Sequence, residues 1–256
     1  MKNNKYFRLF GCYICIVVLF FSCDRVTEEK IRSYVVGFFD FKTISLELTE
    51  KGNIALYWCD NEEVVTFKSK GKDAERYDAL CKRYNDLNYY KETRYIEFVL
   101  CRDYPSNEIV SIDVLSNADF DSERPAGSSL GDVVRLMSIS PIRFIQSNYK
   151  ETYDWNAGYP QEFLRETSGL HAYCCSSGGN EHYPVNGTLA ILKPNDLQLL
   201  GTGWDYPSSS DRICGFFWGY LTFDKEPDIH GIHELTVSVH LADGRTLTQT
   251  IEKNFE

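Results

Sequence analysis

Leu235-Thr236-Val237-Ser238-Val239 and Thr246-Leu247-Thr248-Gln249-Thr250-Ile251 alternate apolar and polar residues, and Ala242-Asp243-Gly244-Arg245 joins them. Alternation with period two puts one set of side chains on a core face and the other in water. Asp-Gly between two such runs is a strong hairpin signal. Working outward from this hairpin, strand-like runs recur at 43–48, where alternation is clear, and at 54–59, 64–67, 95–101, 109–115 and 214–223, with shorter runs at 142–145, 170–175, 188–192 and 197–200. Residues 54–59 and 64–67 flank Asp60-Asn61-Glu62-Glu63 and read as a second hairpin, and Glu50-Lys51-Gly52-Asn53 reads as a turn.

Two stretches carry a different period. Ala74, Tyr77, Leu80, Cys81, Tyr84 and Leu87 recur at helical spacing, with charged residues on the other side, which predicts one amphipathic helix. Residues 130–137 predict a short helix, and 160–165 a further one. Many short strands punctuated by turns, with few helices, predict a mainly β chain: an antiparallel β-sandwich with one or two short helical insertions. The final hairpin resembles the last two strands of immunoglobulin-like sandwiches, which implies a sandwich of that kind.

At the other end, Lys2, Lys5 and Arg8 precede an apolar, uncharged run from Leu9 to Ser22, and no acid occurs before Asp24. A basic start, an apolar core of about 7–15 residues and a small residue at the cut describe a secretory signal. A membrane-spanning helix needs about 20 apolar residues, and this run is shorter. Leu19-Phe20-Phe21-Ser22-Cys23 resembles the lipobox of bacterial lipoproteins, although Phe20 and Phe21 depart from its usual residues. The resemblance implies that Cys23 is acylated and becomes the mature N-terminus. It also implies an address at the bacterial outer membrane or cell surface, with the periplasmic face as the alternative. Uncharacterised bacterial cell-envelope lipoproteins share that signal. The domain reading is then a signal peptide at 1–22, a lipidated tether at 23–32 and a β-rich globular region at 33–256, with a division into two subdomains near 117–128 left open.

Charge narrows the partners. The chain carries a formal −10, and loss of the three signal-peptide cations leaves 24 basic against 37 acidic residues in the mature part. Such a protein is repelled by phosphate backbones, so nucleic acid is not an expected partner. Of nine cysteines, Cys59, Cys81, Cys101, Cys174, Cys175 and Cys214 remain after the signal and Cys23. An even set in an oxidising compartment suggests disulfides whose pairing sequence cannot choose. No Cys-x-x-Cys pair occurs in the mature part, so neither a cysteine metal site nor a cofactor is expected.

No stretch specifies a reaction. Gly127-Ser128-Ser129-Leu130-Gly131 has the Gly-x-Ser-x-Gly form, but a nucleophile elbow needs a strand running straight into the serine. The alternative is a helix cap by Ser129 and Asp132. His230-Gly231-Ile232-His233-Glu234 lacks the helical spacing of a zinc site and reads as a loop with solvated histidines. Asp119-Phe120-Asp121-Ser122-Glu123 lacks the glycine and distal glutamate of a calcium loop. Two loops combine aromatic and carboxylate side chains: Tyr153-Asp154-Trp155 and Trp204-Asp205-Tyr206. Rings that stack on sugar faces, beside carboxylates that take hydroxyls, make these six the candidate ligand-binding residues; the alternative is that the tryptophans anchor loops on the core. The expectation is a membrane-anchored lipoprotein presenting a non-catalytic binding module, its ligand glycan or envelope protein. An envelope hydrolase acting on glycans, with carboxylates from Asp119, Asp121, Asp154 or Asp205, is one alternative. A structural subunit of an outer-membrane complex is the other.

Overall fold

The closing hairpin forms from β12 (Gly231–Leu241) and β13 (Thr246–Phe255), which pair antiparallel from Gly231↔Phe255 to His240↔Thr246. Gly244 takes a positive φ of 88° in the turn, the backbone that the Asp-Gly pair supplies. On the other side of β12 lies β8 (Ile109–Ser116), completing a three-stranded sheet. A computed structural model describes residues 29–60, 62–89, 91–93, 102–155, 179–201 and 216–256. The expected signal peptide and Cys23, with Cys101, Cys174, Cys175 and Cys214, lie outside the described residues, as do the runs expected at 95–101 and 170–175 and the helix at 160–165.

Facing that sheet is a five-stranded one. Its order is β10 (Tyr183–Thr188), β9 (Val134–Ser140), β11 (Phe216–Phe223), β4 (Ile54–Cys59) and β3 (Thr43–Leu48), every neighbour antiparallel. Between the two sheets lies the main core, with Ile112, Val114, Leu235, Val237 and Val239 meeting Ile54, Leu56, Trp58, Leu136, Trp218 and Leu221. The chain is therefore mainly β and sandwich-like. Residues on both sides of 117–128 contribute to this one core, and buried Phe120 from that loop joins them.

At its centre Phe41, Trp58 and Trp218 stack face to face, with ring centroids 3.9 and 4.2 Å apart. Among the described residues neither indole N–H finds a hydrogen-bond partner. Dispersion and burial of the rings thus outweigh two orphaned donors, each costing about 1–3 kcal/mol.

A second, smaller core sits beside the first. Here β2 (Gly37–Asp40) pairs antiparallel with β5 (Glu62–Thr66) and parallel with β7 (Asp103–Pro105). The alternation of β2 sends Phe38 to the small core and Phe39 to the large one, so this strand stitches them together. Helix α1 (Lys72–Arg83) covers the small core with Tyr77, Leu80 and Cys81, the stripe its periodicity predicted. Below it the buried Asp86 carboxylate accepts the Tyr34 and Val35 amides at 2.6 and 2.8 Å and the Tyr149 hydroxyl at 2.8 Å. Strand β1 (Glu29–Ile31) pairs with β6 (Lys91–Thr93), and Ile31 is buried, so residues expected within the tether are already structured.

Several sequence expectations change. Residues 130–137 hold no helix: they turn at 131–133 and then enter β9, a central strand. Val134 and Leu136 face the main core while Met137 and Ile139 face a cluster on the opposite side. A strand covered on both faces reads as a continuous apolar run, which periodicity cannot tell from a helix. The expected strand at 142–145 is instead a short helix, α2 (Ile142–Gln146), started by Pro141 with φ −83°. Leu197 ends a 3-10 turn over Pro194–Leu197, and residues 198–199 continue as a turn, so that 197–200 form no strand. The strand expected at 188–192 lies earlier, as β10. Residues 54–59 and 62–66 do not pair with one another, because β4 joins the large sheet and β5 the small one.

Asp103 on β7 is half-buried, and desolvation pushes its carboxyl up to about 6. A carboxyl raised in the folded state favours folding when protonated, so this contribution is present below the unfolded value of about 3.9 and lost as pH rises through 6. Asp103→Asn should therefore raise stability at pH 7.5 by about 1–3 kcal/mol and leave it unchanged at pH 3.5, read from urea midpoints. Equal stability of the two proteins at pH 7.5 would contradict a desolvated carboxylate.

Candidate functional site

The outer face of the five-stranded sheet collects the chemistry. Its arrangement depends on an irregularity in β11. Phe216 and Phe217 lie opposite Trp58 and Tyr57, but Gly219 lies opposite Leu56, so Trp218 is an extra residue. Trp218 and Gly219 therefore both lie on the core side, and alternation resumes in the other phase. Phe217 and Tyr220 then both face outward while Trp218 and Leu221 face inward. A Cβ on Gly219 would stand 3.0 Å from the Met137 carbonyl oxygen and 3.1 Å from the Ser138 Cβ, so the position takes glycine. The Ser138 hydroxyl donates to the bulge carbonyl of Trp218.

On that face Phe217 sits 5.6 Å from Tyr57 and 4.8 Å from Tyr220, ring centre to ring centre, and all three are half-buried. Tyr57 donates its hydroxyl to Glu47 at 3.3 Å on the neighbouring β3. Burial first, and the Glu47 carboxylate second, push the Tyr57 phenol well above its ordinary pKa, so it remains a donor. Met137 lies opposite Tyr220 and joins the rings to a cleft of about 460 Å³. That cleft is lined by Asn53, Arg135, Asn186, Thr222, Asp224 and Lys253 among others. Arg135 donates through Nε and Nη2 to both Asp224 oxygens, each at 2.8 Å, and through Nη1 to Asn186 Oδ1 at 3.1 Å. Lys253 donates to the Gly52 carbonyl at 2.8 Å, and burial lowers its pKa. The cleft thus offers fixed donors and acceptors with its arginine charge neutralised in place.

The residues singled out from sequence are placed as follows. Trp155 is 4% exposed and packs with Met137 and Ile139, its ring edge-on to Tyr153 at 4.8 Å. Its ring faces are taken up by protein, so the indole caps the far end of the outer face. Tyr153 is half-buried and Asp154 exposed beside it. Trp204, Asp205 and Tyr206 lie outside the described residues.

Ser129 has no elbow. Its hydroxyl donates to Asp113 Oδ1 at 2.5 Å and accepts the Gly131 amide at 3.2 Å, closing a turn rather than capping a helix. Asp121 is held down at about 2, with Lys225 the largest influence and Arg124 and two backbone amides adding to it. A carboxylate kept ionised in that way cannot serve as a general acid. Asp119 accepts the Ala126 amide at 2.7 Å. The histidines diverge: His230 is exposed, whereas His233 is 1% exposed and bonds Ser116 Oγ at 2.9 Å and the Ile229 carbonyl at 3.0 Å. The expectation of two solvated histidines is corrected by the alternation of β12, which turns His233 inward. Among the described residues no group of three His, Cys, Asp or Glu side chains is arranged to hold a metal ion.

Sequence reading missed Tyr57, Phe217, Tyr220, Arg135 and Asp224. The first three sit in runs read only as strand, and their common side depends on the bulge. Gly219 in the middle of an aromatic run was the available signal, since an isolated glycine in a strand marks a bulge. Compared with protein-family models, curated proteins and solved structures, the chain finds no match.

If Trp155 anchors this loop, Trp155→Ala should cost about 3–5 kcal/mol by urea denaturation. A variant as stable as the parent would mean that the ring is not packed against Met137 and Ile139.

Proposed function

We propose that this chain is a lipid-anchored cell-envelope protein that presents a non-catalytic binding module, with the outer face of the five-stranded sheet as its binding surface. The observation that carries the reading is that face: three half-exposed rings held on paired strands, continuous with a cleft whose polar groups fix one another. Large apolar rings left partly in water on a rigid scaffold mark interaction sites more often than isolated exposed residues do. Pre-fixed polar groups lower the ordering cost of binding.

The anchor rests on the resemblance of Leu19-Phe20-Phe21-Ser22-Cys23 to a lipobox. Chain length supports a close tether, because Glu29 of β1 is only six residues beyond Cys23. At about 3.5 Å per residue, six residues reach at most about 20 Å. The β1–β6 edge would therefore ride close to the bilayer. Acyl chains would hold it there against charge, since the acidic mature chain is repelled by anionic headgroups.

Cys23→Ala should move the protein from the membrane fraction to the soluble fraction of the cell envelope. The parent should stay with the membrane through a high-salt wash and yield an N-terminal peptide carrying acyl mass on Cys23. Retention of Cys23→Ala after that wash would rule out the lipid anchor.

A further inference from the structure

Resting on the binding-module reading and deepening it, we infer that the outer face of the five-stranded sheet is a carbohydrate site for a neutral oligosaccharide. Sugar rings lie on Tyr57, Phe217 and Tyr220, and sugar hydroxyls meet Arg135, Asp224 and Asn186.

The first argument is the pairing of surface types. A pyranose presents an apolar face of C–H groups and an equatorial rim of hydroxyls, each both donor and acceptor. The sheet presents the complement of both on one surface. Tyr57, Phe217 and Tyr220 supply ring faces and edges at 5.6 and 4.8 Å spacing. Two residues further along the same strands, Thr222 pairs with Arg135 just as Tyr220 pairs with Met137. At about 3.3 Å per residue the step from ring to polar group is roughly 7 Å, the scale of a single sugar unit. A chain of several sugars lying along β11 would therefore stack at one end and hydrogen-bond at the other.

Charge is the second argument. Arg135 and Asp224 form a two-pronged pair, each oxygen of Asp224 taking one N–H at 2.8 Å. Such a pair has little net charge. It keeps the second lone pair on each carboxylate oxygen for sugar hydroxyls, and the Asn186 amide adds donors beside it. An anionic polymer would find the Arg135 charge already paired with Asp224 and the mature protein strongly acidic overall. A protein partner would want a broad, dry apolar patch, whereas this strip is one to two residues wide and bordered by Ser45, Glu47 and the polar cleft. Neutral sugar is the chemistry that suits both halves.

The third argument is preorganisation. The rings stand on β4 and β11 in the middle of the sheet, and Arg135 is fixed on two sides, so a weakly interacting ligand loses little to ordering the protein.

The test uses the lipidated protein in a detergent without sugar headgroups. It is applied to a printed panel of neutral α- and β-linked gluco-, manno-, xylo- and galacto-oligosaccharides of four or more units, with oligogalacturonate as the anionic comparison. Titration calorimetry on the strongest neutral hit follows. We expect binding to a neutral oligosaccharide and not to oligogalacturonate. Tyr220→Ala and Phe217→Ala should each weaken it by about ten-fold or more, and Arg135→Gln by a similar factor. Thr248→Ala, on the outer face of the other sheet where it bonds Ser238, should leave the affinity within about two-fold of the parent. Thermal melts identify any variant that has lost its fold. Arg135→Gln removes no ring from the cluster and keeps the test alive if the aromatic variants unfold. The inference is overturned if no neutral oligosaccharide binds, if the anionic chain binds better, or if affinity survives Arg135→Gln and every folded aromatic variant. It is likewise overturned if Thr248→Ala abolishes binding. None of these results touches the anchor, which stands or falls on the membrane partition of Cys23→Ala.

Discussion

One extra residue in one strand sets the two faces of this molecule. Trp218 is inserted between Phe217 and Gly219 relative to β4, and the insertion reverses the phase of alternation along the rest of β11. Trp218 lies parallel to Trp58 in the core at 4.2 Å, and Phe217 and Tyr220 share the outside. In a regular strand residues 218 and 220 would share a side. Tyr220 would then enter a core already filled by the tryptophan stack, and Leu221 would face water. Core density tolerates no such exchange, since interiors pack like organic crystals. The bulge therefore couples the stability of the sandwich to the composition of its outer face.

Glycines and a serine make the irregularity affordable in space. Gly219 lies where a Cβ would meet the Met137 carbonyl, and Gly201, at φ 104°, backs onto the same place, 2.9 Å from the Phe217 carbonyl as a Cβ would find it. The Ser138 hydroxyl takes up the Trp218 carbonyl. Residues from three separate parts of the chain thus converge on the bulge, and the strand cannot straighten without displacing them. The small core is fastened by polar groups instead. Arg102 lies over the rings of Tyr34 and Tyr89 at 4.5 and 5.0 Å, and Asp86 gathers two amides and a hydroxyl. Burial pushes the Asp86 carboxyl up despite those bonds, so desolvation outweighs them there.

Much of the architecture is legible in the residues. The hairpin of β12 and β13, strands β3 and β8, and helix α1 follow from period and turn chemistry alone, because each has one wet face that keeps its pattern clean. Strand β9 does not, since Met137 and Ile139 are covered from outside by Trp155 and the pattern loses its polar phase. Partners of strands are not legible either. Residues 54–59 and 62–66 lie close in sequence yet belong to different sheets, because β4 is claimed by β3 and β11. The candidate site was harder still. Tyr153, Asp154 and Trp155 were found by composition, and the structure puts Trp155 on the outer face as a cap. The half-buried rings came from strand residues whose side depends on a register shift, and Gly219 inside the aromatic run is its one local signal. Ser129, Asp121 and His233, which look like chemistry in the sequence, are each held by partners that complete turns or a buried hydrogen bond.

The most direct test of this account reads the side of each ring. Nuclear Overhauser contacts in the intact protein in micelles should connect the Trp218 indole to the Trp58 indole, and the Phe217 ring to both the Tyr57 and Tyr220 rings. Contacts of Trp218 and Tyr220 with one common set of core side chains would show a regular strand, and would contradict both the bulge and the binding face built on it.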